Sequence, residues 1–148
     1  MNIGDKKIIN IEQIASRTNI IANNAETVLI QNNTEIRRLL DINDTPLTIT
    51  LPDNSSEDWL LEDTEFFGSV IFSTGTSSNE IDTVNIPSSV TSGVNTFPVV
   101  YKGEDITSEV VNNATVYTFA PVENKRYTFM YYWDGDYMVC EVTAYEIP

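Results

Sequence analysis

The sequence predicts a mainly β protein in which an N-terminal α-helix, forming a short trimeric coiled coil, precedes a C-terminal antiparallel β-sandwich. Two observations lead to this prediction. Residues 8–42 contain no glycine or proline and carry apolar residues at seven-residue spacing. From Pro46 onward, apolar and polar residues alternate in short runs that end in turn-forming residues. The change of period divides the chain into two predicted domains, residues 1–45 and residues 46–148.

The helix is predicted from a heptad pattern with β-branched residues at one position. Isoleucine or valine there, with little leucine at the complementary position, favours three helices over two. An amphipathic helix that packs on its own β domain is the alternative. The predicted trimer interface consists of Ile11, Ile14, Thr18, Ile21, Ala25, Val28, Asn32 and Leu39.

Seven short strands are predicted after Pro46, the number and spacing of a sandwich or a partial barrel. They cover residues 47–51, 66–73, 81–86, 96–101, 115–119, 126–133 and 137–145. Between the first two, residues 54–64 are predicted to form one helical turn around Trp59 that closes an end of the sandwich.

The last two strands enclose the stretch YYWDGDYMVC, residues 131–140. Asp134-Gly135 is predicted to be a two-residue hairpin turn, which pairs Tyr131 with Met138. That pairing gives the hairpin one apolar face, on which Cys140 is a buried small hydrophobic residue and not a nucleophile. A calcium loop is disfavoured because D-G-D supplies too few oxygen ligands.

The composition excludes several classes of function. The 148 residues include 22 acidic and 8 basic residues, for a net charge of −14, which opposes binding to nucleic acid and to anionic membranes. The chain has no histidine and one cysteine, so it lacks triad catalysis, most zinc sites and an intrachain disulfide. We expect no catalytic residue, no metal and no cofactor. An enzyme is the least favoured class, since nothing marks Glu62 and Glu65 as a glycosidase pair.

Four segments carry a resemblance to a known family. They are FGSVIFSTGT (residues 67–76), IPSSV (residues 86–90), NKRY (residues 124–127) and the terminal hairpin. This pattern resembles a small β-domain common in phage virion proteins, and with the helix the chain resembles head-fibre and decoration proteins of tailed phages, including crAss-like phages. The resemblance implies a homotrimer that binds capsid proteins and is displayed outward on the virion. Residues 90–117 are longer than this pattern.

The N-terminus lacks the apolar core of a signal peptide, so we expect synthesis in the host cytoplasm and assembly into the virion. Lys6 and Lys7 are the predicted capsid anchor, as a basic pair in an acidic chain. A second hypothesis is recognition of a host-surface glycan through Tyr132, Tyr137 and Tyr145. A third, an acidic DNA mimic, is disfavoured because the carboxylates are scattered along the chain.

Overall fold

The protein is mainly β, as predicted. The structure, a computed structural model, describes residues 18–21, 26–41, 46–75 and 83–148. These residues contain twelve strands and no helix. The strands are β1 (Thr18–Ile21), β2 (Thr27–Leu29), β3 (Thr34–Asp41), β4 (Leu47–Thr50), β5 (Phe67–Ser73), β6 (Val84–Asn85), β7 (Ser89–Ser92), β8 (Asn95–Gly103), β9 (Ile106–Val111), β10 (Ala114–Phe119), β11 (Lys125–Trp133) and β12 (Met138–Glu146).

Seven strands form one large sheet in the order β1-β3-β5-β11-β12-β8-β7. The pairs β1–β3, β3–β5 and β12–β8 are parallel, and the others are antiparallel, so the sheet is mixed and not purely antiparallel as predicted. Its inner face is apolar. The register aligns Ile36, Val70, Phe129 and Val142 across four neighbouring strands, and all four are buried.

Two smaller elements pack on the inner face. The parallel sheet β2-β4-β6 contributes Val28, Leu47 and Ile49 to the same apolar core as the large sheet. The hairpin β9–β10 contributes Phe119, whose ring centroid lies 4.9 Å from that of Phe129. From β1 to β6 the chain alternates between the large and the small sheet, and this alternation builds two stacked parallel layers.

The helix predicted over residues 8–42 is wrong for residues 18–21 and 26–41, which contain β1, β2 and β3 and no helix. The physical reason lies in the burial pattern of β3. Ile36 and Arg38 are buried, whereas Glu35 and Arg37, which alternate with them, are not. This alternation with period two is that of a strand. The heptad arose from isoleucine, valine and threonine, residues that favour strands. Residues 1–17, 22–25 and 42–45 lie outside the described part of the chain.

The predicted trimer-interface residues are therefore dispersed where the structure describes them. Val28 is buried in β2, Asn32 is exposed in the turn before β3, and Thr18, Ile21 and Leu39 belong to β1 and β3. They do not form one helical stripe. Ile11, Ile14 and Ala25, like the predicted anchor Lys6 and Lys7, lie outside the described residues. Both sheets also contain strands from each side of residue 45, through the pairs β3–β5 and β2–β4.

The seven strands predicted after Pro46 correspond to β4, β5, β6, β8, β10, β11 and β12, with residues 81–82 outside the described ranges. The prediction missed β7 and β9. Residues 54–64 form bends and a turn without a helical turn. This loop still closes one end of the core, since Leu60 is buried and the Trp59 ring lies 5.7 Å from that of Phe66, measured between centroids.

Candidate functional site

The terminal hairpin is present, but its turn has four residues instead of two. Trp133 pairs with Met138 and Tyr131 with Cys140, so every predicted pair shifts by two residues. A shift of two leaves each side chain on its predicted face, because side chains alternate with period two. The apolar inner face and the mixed outer face of the hairpin are therefore as predicted.

Asp134 holds this turn together. Its Oδ1 accepts hydrogen bonds from the backbone N–H groups of Asp136, at 2.9 Å, and Tyr137, at 2.7 Å. Gly135 follows with φ of 104°, a conformation that disfavours other residues. Carboxylate capping of local backbone and a positive φ at glycine are the features that make aspartate and glycine common in turns. The carboxylate of Asp134 is thus occupied by the turn.

Cys140 is fully buried, as predicted, and burial raises the pKa of its thiol. Close by, the Tyr101 and Tyr131 hydroxyls lie 2.9 Å apart, and Tyr101 donates to the backbone oxygen of Pro87 at 2.7 Å. Burial also raises the pKa of both phenols. These groups stay neutral and serve the packing of the core.

The three tyrosines of the glycan hypothesis do not form one platform. Tyr132 pairs with Val139 near the turn, whereas Tyr145 pairs with Arg126 at the far end of the hairpin. The six residues from position 139 to position 145 span about 20 Å of strand. Tyr137 is 48% exposed in the turn, and the Tyr132 hydroxyl is engaged with Glu141 at 3.3 Å.

A cavity of about 320 Å³ opens beside the hairpin turn, lined by Asn32, Asn33, Thr64, Glu65, Phe66, Phe67 and Trp133. Sequence reasoning did not find it. Asn32 donates through Nδ2 to the backbone oxygen of Glu65 and accepts through Oδ1 from the N–H of Phe67, both at 2.9 Å. Its amide therefore ties two segments of this chain together, the turn before β3 and the residues that lead into β5.

The β9–β10 hairpin, which we call the arm, is the most exposed apolar element. Phe119 at its base is buried, whereas Val110 near its tip is 73% exposed and Val116 is 42% exposed. Asn112 and Asn113 form the turn with φ of 51° and 64°, as a type I′ hairpin requires. A two-stranded hairpin is marginally stable alone, so the base of the arm is held by the core while its tip is open to a partner.

The large sheet also has an outer face, which the register defines by the row Glu35, Ser69, Met130, Glu141 and Lys102. Lys102 Nζ lies 3.0 Å from Glu141, and Arg37 lies 2.6 Å from Glu35.

Arg126, on the same face, donates to Ser73 at 3.1 Å and to the Tyr145 hydroxyl at 3.3 Å. Among the described residues, the register places three basic residues (Arg37, Lys102 and Arg126) and three acidic residues (Glu35, Asp41 and Glu141) on this face, in contrast to the acidic chain as a whole.

Within the described ranges, no group of three or more cysteine or acidic side chains is arranged to hold a metal, and no helix is long and apolar enough to cross a membrane. Comparison of the chain with protein-family models, with curated proteins and with solved structures found no match.

Proposed function

We propose that this chain is a structural protein of a phage virion, a head-fibre or decoration protein that binds the capsid as a homotrimer and is displayed outward. Its mechanism is assembly and not chemistry. The observation that carries the proposal is the layout of the chain across the large sheet, which separates the N-terminal strands from the exposed apolar arm.

The two ends of this layout are far apart. β1 is the edge strand of the sheet, and the arm follows β8, which lies five strand positions away. Neighbouring strands are about 4.8 Å apart, so the path across the sheet from β1 to β8 is about 24 Å. A protein anchored through the segment before β1, with Lys6 and Lys7 on acidic capsid surface, presents its arm away from the attachment point.

The segments that carry the family resemblance also lie side by side. Residues 67–73 form β5, which pairs with β11, and NKRY leads into β11, which pairs with β12. Three of the four resembling segments thus form three adjacent strands of one sheet. This arrangement supports a common β-domain as the basis of the resemblance.

The trimer needs contacts other than a coiled coil through residues 18–41, since the described residues there are strands. Strands of the β body are the alternative source of those contacts. Sheets that pack face to face bury alternate side chains of both layers, about 10 Å apart.

The experiment is immunogold labelling and mass spectrometry of purified virions from the phage whose genome encodes the chain. A peptide epitope inserted between Asn112 and Asn113, at the tip of the arm, should be labelled on intact particles. Virions that lack the chain, or particles labelled only after disruption, would contradict outward display.

The anchor is tested by the double variant Lys6→Gln, Lys7→Gln, which should lower the number of copies per virion. Its matched control is Ser55→Glu, Ser56→Glu, which changes the net charge equally at two exposed positions of a loop. Equal loss in both variants would assign the effect to net charge and not to an anchor.

A further inference from the structure

We propose that the last part of β12 is a docking site for an extended, basic segment of a partner protein, which adds to the large sheet as a further strand. The site is the free edge of β12, which we define as residues 143–146. The inference goes beyond the proposed function and does not depend on it, because it names a binding site on the β body and the chemistry of its occupant.

The free edge exists because β8 leaves β12 before β12 ends. The two strands pair only from Met138 to Val142, which lie opposite Val99 and Gly103. Gly103 has φ of 121°, and a Cβ at this position would collide with the backbone oxygen of Val142. A glycine therefore allows the chain to turn here, through Glu104, into the arm. The four residues of β12 beyond this point span about 13 Å without β8 beside them.

The backbone register shows which groups of the free edge are unpaired. The N–H of Ile147 donates to the backbone oxygen of Asn124 at 2.9 Å, so the residues of β12 with odd numbers bond to β11. Because backbone groups alternate between the two sides of a strand, the N–H and C=O of Ala144 and Glu146 point away from β11. Among the described residues, these four groups have no hydrogen-bond partner. An added strand pairs with such a row of donors and acceptors.

The edge of β7 shows how this protein covers a strand edge with its own chain. Asn54 donates its backbone N–H to the oxygen of Thr91 at 3.1 Å and accepts from the N–H of Gly93 at 2.8 Å. Strand edges that lack such cover pair readily with another chain. No described segment covers the free edge of β12 in this way. A cleft of about 450 Å³ lies beside it instead, lined by Gly103, Glu104, Asp105, Val142, Thr143 and Ala144.

Charge selects the occupant of this cleft. Glu104 and Glu146 are exposed, and neither carboxylate has an ion pair or a side-chain hydrogen bond within the described ranges. Lys125, which pairs with Glu146 in the sheet, instead donates from Nζ to Asp105 at 3.2 Å. Two unpaired carboxylates therefore flank the cleft. They attract a segment that carries lysine or arginine and repel an acidic one.

The shape of the edge adds a second requirement. Ala144 is half-buried and packs against the apolar core, on the inner face of the sheet. Successive side chains of an added strand point to opposite faces, so every second residue of the occupant lies on this inner side. A small apolar residue suits that position beside Ala144. The occupant is thus an extended segment in which small apolar and basic residues alternate.

The test is a titration of the full chain with two blocked peptides, TKVKVT and TEVEVT, followed by nitrogen–proton NMR. The basic peptide should bind at least about tenfold more tightly than the acidic one. It should also slow hydrogen exchange of the Ala144 and Glu146 amides at least about fivefold, because both become hydrogen-bonded. No binding of the basic peptide at ~5 mM, equal affinity of the two peptides, or binding without protection of these amides would overturn the proposal. Protection of these amides in a self-associated chain before any peptide is added would assign the edge to a second copy and overturn the choice of occupant.

Ala144→Pro tests the backbone of the edge. The Ala144 N–H points away from β11, so proline removes a donor of the free edge and leaves the pairing with β11 intact. The variant should weaken the basic peptide at least about tenfold. Unchanged affinity in a folded Ala144→Pro variant would contradict strand addition at this edge.

The double variant Glu104→Gln, Glu146→Gln tests the charge with little risk to the fold, since both side chains are exposed. It should weaken the basic peptide at least about fivefold. The matched control is Glu57→Gln, Glu62→Gln, which changes the net charge equally at two exposed positions of the loop at the other end of the hairpin. The control should retain the wild-type affinity. Equal losses in the two double variants would assign the attraction to net charge and overturn the edge as the site.

Discussion

Arg38 provides the sharpest test of the packing described above. It lies on the inner face of β3, in register with Phe72, and only 1% of its surface is exposed. Its Nε and Nη1 atoms have no hydrogen-bond partner among the described residues. Burial lowers the pKa of the guanidinium, which nevertheless remains protonated in any ordinary buffer. Within the part of the chain that the structure describes, the core thus holds a charged group with two unpaired nitrogen donors.

The perturbation is Arg38→Met, which keeps a long, flexible side chain and removes the charge. An unsatisfied buried donor costs about 1–3 kcal/mol, and more when it is charged, so two unsatisfied nitrogens set a lower limit of about 2 kcal/mol. Methionine fills irregular core space well, so little of this gain is lost to a cavity. We expect the free energy of unfolding to rise by about 2 kcal/mol.

The assay is equilibrium unfolding in urea, followed by tryptophan fluorescence. For an m-value of about 2 kcal/mol/M, the midpoint should rise by about 1 M urea. Arg37→Met, one residue away on the outer face, is the control and should change stability by less than about 0.5 kcal/mol, because it removes only an exposed ion pair. A lower midpoint for Arg38→Met would refute the reasoning, since it would mean that the buried guanidinium has a stabilising partner.

Three further predictions concern the core, the turn and one ion pair. Phe129→Ala should lower the free energy of unfolding by about 4 kcal/mol and the melting temperature in calorimetry by about 10 °C, because this fully buried ring packs on two other rings. A loss below about 1 kcal/mol would contradict the burial of this ring in the core. Asp134→Ala should cost about 1–2 kcal/mol in urea unfolding through its two lost turn hydrogen bonds, while the exposed neighbour Asp136→Ala should cost less than about 0.5 kcal/mol. The hydrogen bond from Lys102 lowers the pKa of the Glu141 carboxyl in the folded protein. The stability that this pair contributes is therefore fully present above the pKa that Glu141 has in the unfolded chain, and it is lost as the pH falls through the lower pKa of the folded protein. Lys102→Met should raise the pKa of Glu141 in an NMR titration, and an unmoved pKa would exclude the pairing.

Much of the β structure after Pro46 could be predicted because its signals are local. Alternation of apolar and polar residues sets which side chains of β11 and β12 face the core, and this pattern does not change when the hairpin shifts by two residues. The turn length was less predictable. The Asp134 carboxylate caps two backbone N–H groups and stabilises a four-residue loop, where the Asp-Gly pair alone favours a two-residue turn.

The sequence by itself therefore determined the mainly β class, the apolar face of the terminal hairpin and the burial of Cys140, since each depends on neighbours a few residues away. Only the tertiary structure decided that residues 18–21 and 26–41 with a heptad pattern are strands. β-branched residues fit either a coiled-coil seam or a pleated sheet, and the backbone partners that select the sheet lie far along the chain, as in the pairing of Thr34 with Gly68. The near-neutral outer face arises in the same way, because long-range register brings together cations that stand apart in an acidic sequence.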